Sequence, residues 1–480
     1  MALKDYMHGI RIQENPTSVP TPVKNEAGVP VIFGTAPVNL AADPERAANS
    51  LFLCSTFAEA KAAVGYSEDY EKYTLPQSMD AFFRVFGVGP VVICNVLDPK
   101  AHKADYTETL DLVDGQAVAE EDGILLKGLT VKNGDTVMEE GKDYAVGFDD
   151  GGHVVVAVLA EGVASVTVSG SRIDPSKVTY GSVIGSYDPD TGTETGMELV
   201  RRVYPMFGLV PSLLLAPGWS QDPRVGIALS EKCRDISGMF RCECVLDIDT
   251  TKAKKYADVE EVKAESGYMD ENIICVWPMV KHAGRKMAYS AIYAAMACHT
   301  DCSNDNVPNL SPSNRPIRVS AAVLQDGTEV VLDKDQANAL NAVGVVAALN
   351  MNGFKAWGNN TAAYPDTTDP KDRWIACRRF FSWWGNSFIT TYMHKVDDPT
   401  NYRLIESIVD SENVRGNSLV SMGKCAGIRM AYGREDNPIG NVLDGKAVFR
   451  QYLAPYTPAE DILNILEFDP SMIEAALGGE

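Results

Sequence analysis

Long apolar runs are missing from this chain of 480 residues. The longest, Met287 to Cys298, has about twelve residues where a membrane-crossing helix needs about twenty, so no direct membrane insertion is expected. Basic residues are scarce too: Lys plus Arg number 43 against 65 Asp plus Glu, a net charge of −22 at pH 7. Such a surface repels phosphate backbones and no local basic patch interrupts it, which argues against a nucleic-acid partner. The first nine residues hold no apolar stretch of the export-signal kind. The ten cysteines, scattered from Cys54 to Cys425 without a repeating spacing, therefore read as reduced thiols in a protein made in the cytoplasm. Internal repeats and low-complexity tracts are lacking. What remains is ordinary: 45% apolar and 22% charged residues exclude disordered and fibrous classes.

At about 150 residues per domain the length suggests about three domains. Residues 1–25 carry three prolines between Asn15 and Pro22 and little to bury, and they read as an extended arm. From Val29 a β-α-α-β rhythm begins: a strand to Thr35, a capping box at Thr56–Glu59, a helix over Met79–Val85 and a strand over Val91–Val96. Residues 103–180 lose the helical period. Asn133-Gly134 and Asp149–Gly152 are hairpin signals, and Val154, Val156, Val158, Val166 and Val168 alternate, which predicts an inserted all-β domain. After Gly181 strands and helices alternate again: helix Glu198–Met206, strand Leu209–Leu215, helix Pro223–Ile236, strand Glu243–Ile248. Helix Ala257–Ala264, strand Ile273–Val280 and helix Arg285–Cys298 follow. This spacing predicts a parallel sheet covered by helices, built from residues 26–102 and 181–350. Residues 351–455 read as an α+β C-terminal unit. There Cys377, Phe380, Phe381, Trp384, Phe388 and Tyr392 make a helical stripe that suits core packing, with a second helix over Tyr402–Asp410. Residues 456–480 read as a second arm.

Chemistry is hard to find. Gly440 to Lys446 fits a phosphate-cradle pattern, but Ala447 stands where a metal-binding hydroxyl belongs and a strand follows, so a turn is the better reading. Gly218-Trp-Ser220-Gln-Asp222 lacks the closing glycine of a nucleophile elbow. None of the six histidines, His8, His102, His153, His282, His299 and His394, adjoins a nucleophile signature. Cys242 and Cys244 share a strand face, and Cys298, His299 and Cys302 have no complementary pair at zinc spacing. Asp188-Pro-Asp190-Thr-Gly192 opens like a calcium loop but has Thr193 and Leu199 where glycine and glutamate are needed. No catalytic, cofactor-binding or metal residue is expected.

The chain resembles the contractile tail sheath proteins of bacteriophages and phage-tail-like particles. The resemblance rests on Tyr6–Ile12, Val29–Ala36, Gly353 to Thr361 with Trp357 and Gly358, the paired Arg378 and Arg379, and Tyr452 to Ile462. Asn360 departs from it, because many sheaths carry a basic residue there. The resemblance implies an α/β core similar to a subtilisin-like fold without a catalytic triad, with the inserted all-β domain and the α+β C-terminal domain. It implies partners as well: further copies in stacked hexameric rings of a helix, an inner tail tube protein, and baseplate and tail terminator proteins. Contraction would drive the tube through the target envelope without a cofactor or nucleotide. Both termini would join subunits by strand addition, through Ile10, Arg11, Ile12 and Gln13 and through Ile462, Leu463, Asn464, Ile465 and Leu466. Read locally, the second segment fits a helix opened by Thr457–Glu460 as well as a strand; the resemblance favours the strand, with a short helix from Pro470. Two other classes stay open: a hydrolase of subtilisin-like fold, and a surface-binding protein that recognises its target through the insertion.

Overall fold

Runs of aliphatic and β-branched residues form the spine of the molecule. The computed structural model describes residues 23–24 and 27–478; Ile10, Arg11, Ile12 and Gln13 of the expected first arm, and His8, lie outside the described residues. Strands β1 (Val29–Gly34), β2 (Leu51–Cys54) and β3 (Val91–Asn95) come first, followed by β4 (Pro211–Leu215), β5 (Glu243–Asp247) and β6 (Ile273–Trp277). With β7 (Val345–Asn350) and β8 (Phe354–Trp357) they make one eight-stranded sheet in the order β8-β7-β6-β5-β4-β1-β3-β2. The six central strands are parallel, while β8 and β2 run antiparallel at the edges. Successive side chains point to opposite faces and both faces are apolar. Val31, Phe33, Leu214, Cys244 and Trp277 enter one core; Ile32, Ile93, Leu215, Val245 and Val276 enter the other.

Helices cover both faces. Helix α1 (Phe57–Val64) opens with Thr56 accepting the Glu59 N–H at 3.2 Å, while the Glu59 carboxylate accepts the Ser55 N–H at 2.7 Å. It shares the second core with α2 (Leu75–Met79), which widens into a π-helical segment, Asp80–Phe86, and with α4 (Tyr289–Cys302). Helices α3 (Pro223–Arg234) and α5 (Lys334–Ala342) pack on the first core.

Three sequence expectations need correction. The Ile273–Val280 strand stops at Trp277, because Pro278 has no N–H for the ladder, and Met279–His282 joins a separate antiparallel sheet. Arg285 does not open a helix: Ala283 and Gly284 both take positive φ, so Arg285–Met287 turns back as a hairpin strand. Most consequential, the C-terminal unit does not begin at 351. Asn352 and Gly353 take positive φ and fold the chain straight back, so Phe354–Trp357 pairs with β7 as the sheet edge. Trp357 accordingly packs against the first core rather than with the C-terminal stripe.

Between β3 and β4 the chain leaves the sheet. Lys103–Asp111, Ser165–Ile173, Thr130–Asn133 and Thr136–Val137 make one four-stranded sheet; Gln116–Val118, Tyr144–Phe148 and Val154–Val158 make a three-stranded one. Tyr106, Leu110, Val131, Val154, Val156, Val166 and Val168 form a core of their own. Lys103 pairs directly with Ile173, so the two ends of the insertion sit about 5 Å apart. Replacing residues 104–172 by a short Gly/Ser linker should leave the eight-stranded sheet folded, with nearly unchanged thermal melting. Insoluble protein, or a melting temperature lowered by many degrees, would refute this.

Candidate assembly surfaces

The place where a parallel α/β sheet ordinarily takes a ligand is its switch point, here between β1 and β4. That crevice is filled. Thr74, just before α2, accepts the Thr35 N–H at 3.0 Å and the Trp219 Nε1–H at 3.2 Å, and its own N–H donates to the Thr35 hydroxyl at 3.1 Å. Ser220, from the near-match to a nucleophile elbow, is fully buried and donates to Asp247 Oδ2 at 3.0 Å. Burial pushes the Asp247 carboxyl above its ordinary pKa, against the pull of hydrogen bonds from Ser290 and Ser220. His102 Nε2 does lie 3.4 Å from Ser182 Oγ. Its Nδ1, however, accepts the Asp98 N–H at 3.0 Å, so the neutral ring carries its proton toward the serine and cannot act as its base. Burial holds the His102 pKa below its ordinary value, which keeps the ring in that form. Gly440 lies in a short helix, Ile439–Leu443, and Asp188–Gly192 forms an exposed hairpin turn. Among the described residues, no group of three or more His, Cys, Asp or Glu side chains could hold a metal ion.

The Trp-Gly and paired-arginine motifs meet at one joint. Gly358, at φ +150°, passes so close to β7 that a Cβ would lie 3.0 Å from Val346 Cα, and its N–H donates to Ser313 at 3.0 Å. Thr361 donates its hydroxyl to the Asp372 carbonyl at 2.6 Å and its N–H to the Arg373 carbonyl at 2.8 Å. These bonds seat the start of α6 (Ile375–Tyr392) against the sheet. From α6, Arg378 reaches Asp372 at 2.9 Å, Ser382 donates to Glu243 of β5 at 2.6 Å, and Asn386 donates to the Arg241 carbonyl at 2.6 Å. Arg379 makes a two-pronged, fully buried pair with Asp301 of α4. Burial raises the Asp301 and Glu243 carboxyls, opposed by Arg379 and Arg378 respectively. No sequence pattern announced Asp301 or Glu243 as the partners of the arginines; the one available signal was that two arginines in an apolar helix demand buried acids.

Helix α7 (Tyr402–Ser421) continues well past the expected Asp410 through Gly416, whose missing side chain lets the helix lie on Ile428. Strands β9 (Cys425–Ala431) and β10 (Arg450–Pro455) pair antiparallel beside it. Phe380, Trp384, Leu419, Cys425 and Ile428 form their core. Buried Glu412 accepts from Arg415 and from Gln451, each at 2.7 Å, and so ties α7 to β10. Among the described residues this sheet has two strands, so each keeps an open edge. Directly after β10 comes the arm. Ile462, Leu463, Ile465 and Leu466 are 83%, 80%, 72% and 87% exposed, Asn464 is exposed too, and the segment is neither strand nor helix. Helix α8 (Pro470–Ala476) follows, capped by Asp469 accepting the Ser471 N–H at 2.9 Å. The arm does not come free at 456: the Cys377 thiol donates to the Tyr456 carbonyl at 4.0 Å, and Glu460 contacts Arg373 at 3.2 Å.

No family model matches the chain. Curated relatives do. The tail sheath protein of Burkholderia phage BcepMu is 24% identical, over 99% of this chain and 99% of that one. The major tail sheath protein of Serratia phage KSP20 is 25% identical over 66% of this chain and 79% of its own length. Among solved structures, a chain of the anti-feeding prophage (AFP) baseplate superposes with a TM-score of 0.57 at 14% identity, covering 97% of this chain and 99% of that one. A chain of the PVC sheath complex of an extracellular contractile injection system, in its contracted state, gives 0.55 at 14% identity, covering 98% and 100%. The chain is thus similar along its whole length to a phage tail sheath protein, and it shares its fold with chains of contractile particles.

Proposed function

We propose that the chain polymerises with copies of itself, as stacked hexameric rings of a helix around an inner tail tube, between a baseplate and a tail terminator. Contraction of this sheath drives the tube through the target envelope. Assembly takes place in the bacterial cytoplasm, and the particle is a phage tail or a phage-tail-like weapon. The role is structural and consumes no nucleotide; the filled switch point and the buried, acid-bound Ser220 support a non-enzymatic reading. A triad-free, subtilisin-like core belongs to the same proposal.

The observation that carries the reading is the exposed apolar segment Ile462–Phe468 beside a sheet that, among the described residues, has two strands and open edges. Eight extended residues from Asp461 reach about 26 Å, enough to cross to a neighbour. An arm that adds a strand to a neighbouring sheet buries that surface and satisfies the open edge at once. Repeated head-to-tail between identical subunits, such contacts build an open helix. Strand tethers also keep subunits joined while rigid bodies slide between two packings. Negative-stain microscopy of the purified protein tests the reading: tubes or rings are expected, and monodisperse particles at all concentrations would refute it.

A further inference from the structure

A polar groove at the root of the C-terminal arm is walled by Arg315, Lys334, Asn338, Trp357 and Arg373. On a chain of net charge −22 this wall is basic. Among the described residues, the acids that line it are Glu460 and Asp461, and both belong to the arm. Glu460 Oε2 accepts from Arg373 Nη2 at 3.2 Å, and Oε1 accepts from Asn359 Nδ2 at 3.4 Å. Arg373 is itself held in place. Its Nε donates to Asn360 Oδ1 at 2.9 Å, and its guanidinium lies 4.4 Å from the Tyr364 ring and 4.0 Å from the Trp374 ring. A guanidinium already fixed on three sides loses little freedom in meeting a carboxylate, so a partly exposed pair holds here where most surface pairs contribute almost nothing. Asn360, the position without the basic residue that the resemblance favours, therefore orients a charge supplied by Arg373. Beyond Glu460 the apolar side chains of the arm stand in the open.

We infer that Arg373 and Asn359 form a latch for the Glu460 carboxylate that fixes where the arm leaves its own subunit, so that the segment given to a neighbour starts at Asp461. Arm exchange is taken from the proposed function; the latch stands without it. Releasing it would add residues 456–460 to the tether, about 16 Å of slack, and would loosen the register in which the donated strand is presented.

Chymotrypsin digestion of the purified protein reads the latch directly, because Tyr456 precedes it while Leu463, Leu466 and Phe468 follow it. Cleavage should start at the downstream sites. Glu460→Gln should speed cleavage after Tyr456 about fivefold, with the downstream rates unchanged, since cutting follows the population of the open form. Arg373→Gln should do the same, and Glu460→Arg combined with Arg373→Glu should return the rate toward that of the parent protein. Cleavage after Tyr456 at the parental rate in both single variants would overturn the inference. So would an equal rise at every site, which means general loosening. A parent protein that cuts as described yet forms no tubes would count against sheath assembly and leave the latch standing.

Discussion

Removing residues 461–480 leaves a protein that melts at the temperature of the full chain and forms no tubes. The first half follows from exposure. Ile462, Leu463, Ile465, Leu466 and Phe468 bury almost nothing against their own subunit, so their loss should change stability by less than about 0.5 kcal/mol. The second half follows from what a donated strand supplies. A segment of five or six residues brings several backbone hydrogen bonds of about 1 kcal/mol each, together with the apolar area that is open in the free chain. Such a strand is marginal alone in water and stable once a sheet pairs with it. The measurement is thermal melting beside electron microscopy of the truncated protein. Normal tubes would show that this arm is not the joint, and a lowered melting temperature would show that it packs on its own subunit.

What could be read from the sequence follows from burial. Strands covered on both faces leave uninterrupted apolar runs, so β1, β3, β4, β5 and the first half of Ile273–Val280 are legible without neighbours. The insertion is legible because alternation replaces the helical period. Edge elements are not. Strand β8 has four residues, and its partner is chosen by positive φ at Asn352 and Gly353, so Trp357 looks like the start of a new unit although it closes the old sheet. The joint is half legible: Arg378 and Arg379 stand out in an apolar helix, but Asp301 lies 78 residues away and Glu243 further still, on elements that no local pattern links. The arm is ambiguous for a physical reason. Ile462–Leu466 fits a strand and a helix equally, and in the single chain it adopts neither, as expected of the proposed strand that pairs only with a neighbour's sheet.

Arg379→Ala should destabilise the protein by about 3–5 kcal/mol, the cost of leaving a buried charge without its partner. The pair is almost fully shielded, with 4% and 1% of the Arg379 and Asp301 side chains accessible. Removing the guanidinium strands Asp301 in a pocket that already holds the Glu243 carboxylate nearby, and removing Asp301 strands the guanidinium in turn. Deleting both charges is different. Asp301→Leu combined with Arg379→Met keeps apolar bulk in the joint and removes two desolvation costs, so the double variant should lie within about 1 kcal/mol of the parent protein. Denaturant unfolding of the two singles and the double separates these cases, and single variants with unchanged midpoints would refute the role given to the pair. The joint also bears on assembly. Helix α6 carries the two-stranded sheet, and Arg379 ties it to α4 through the buried Asp301. Under the proposed arm exchange, loosening that tie would let the open edge shift relative to the arm that pairs with it. The single variants should therefore form fewer and shorter tubes well below their melting temperatures, while the double variant forms them normally.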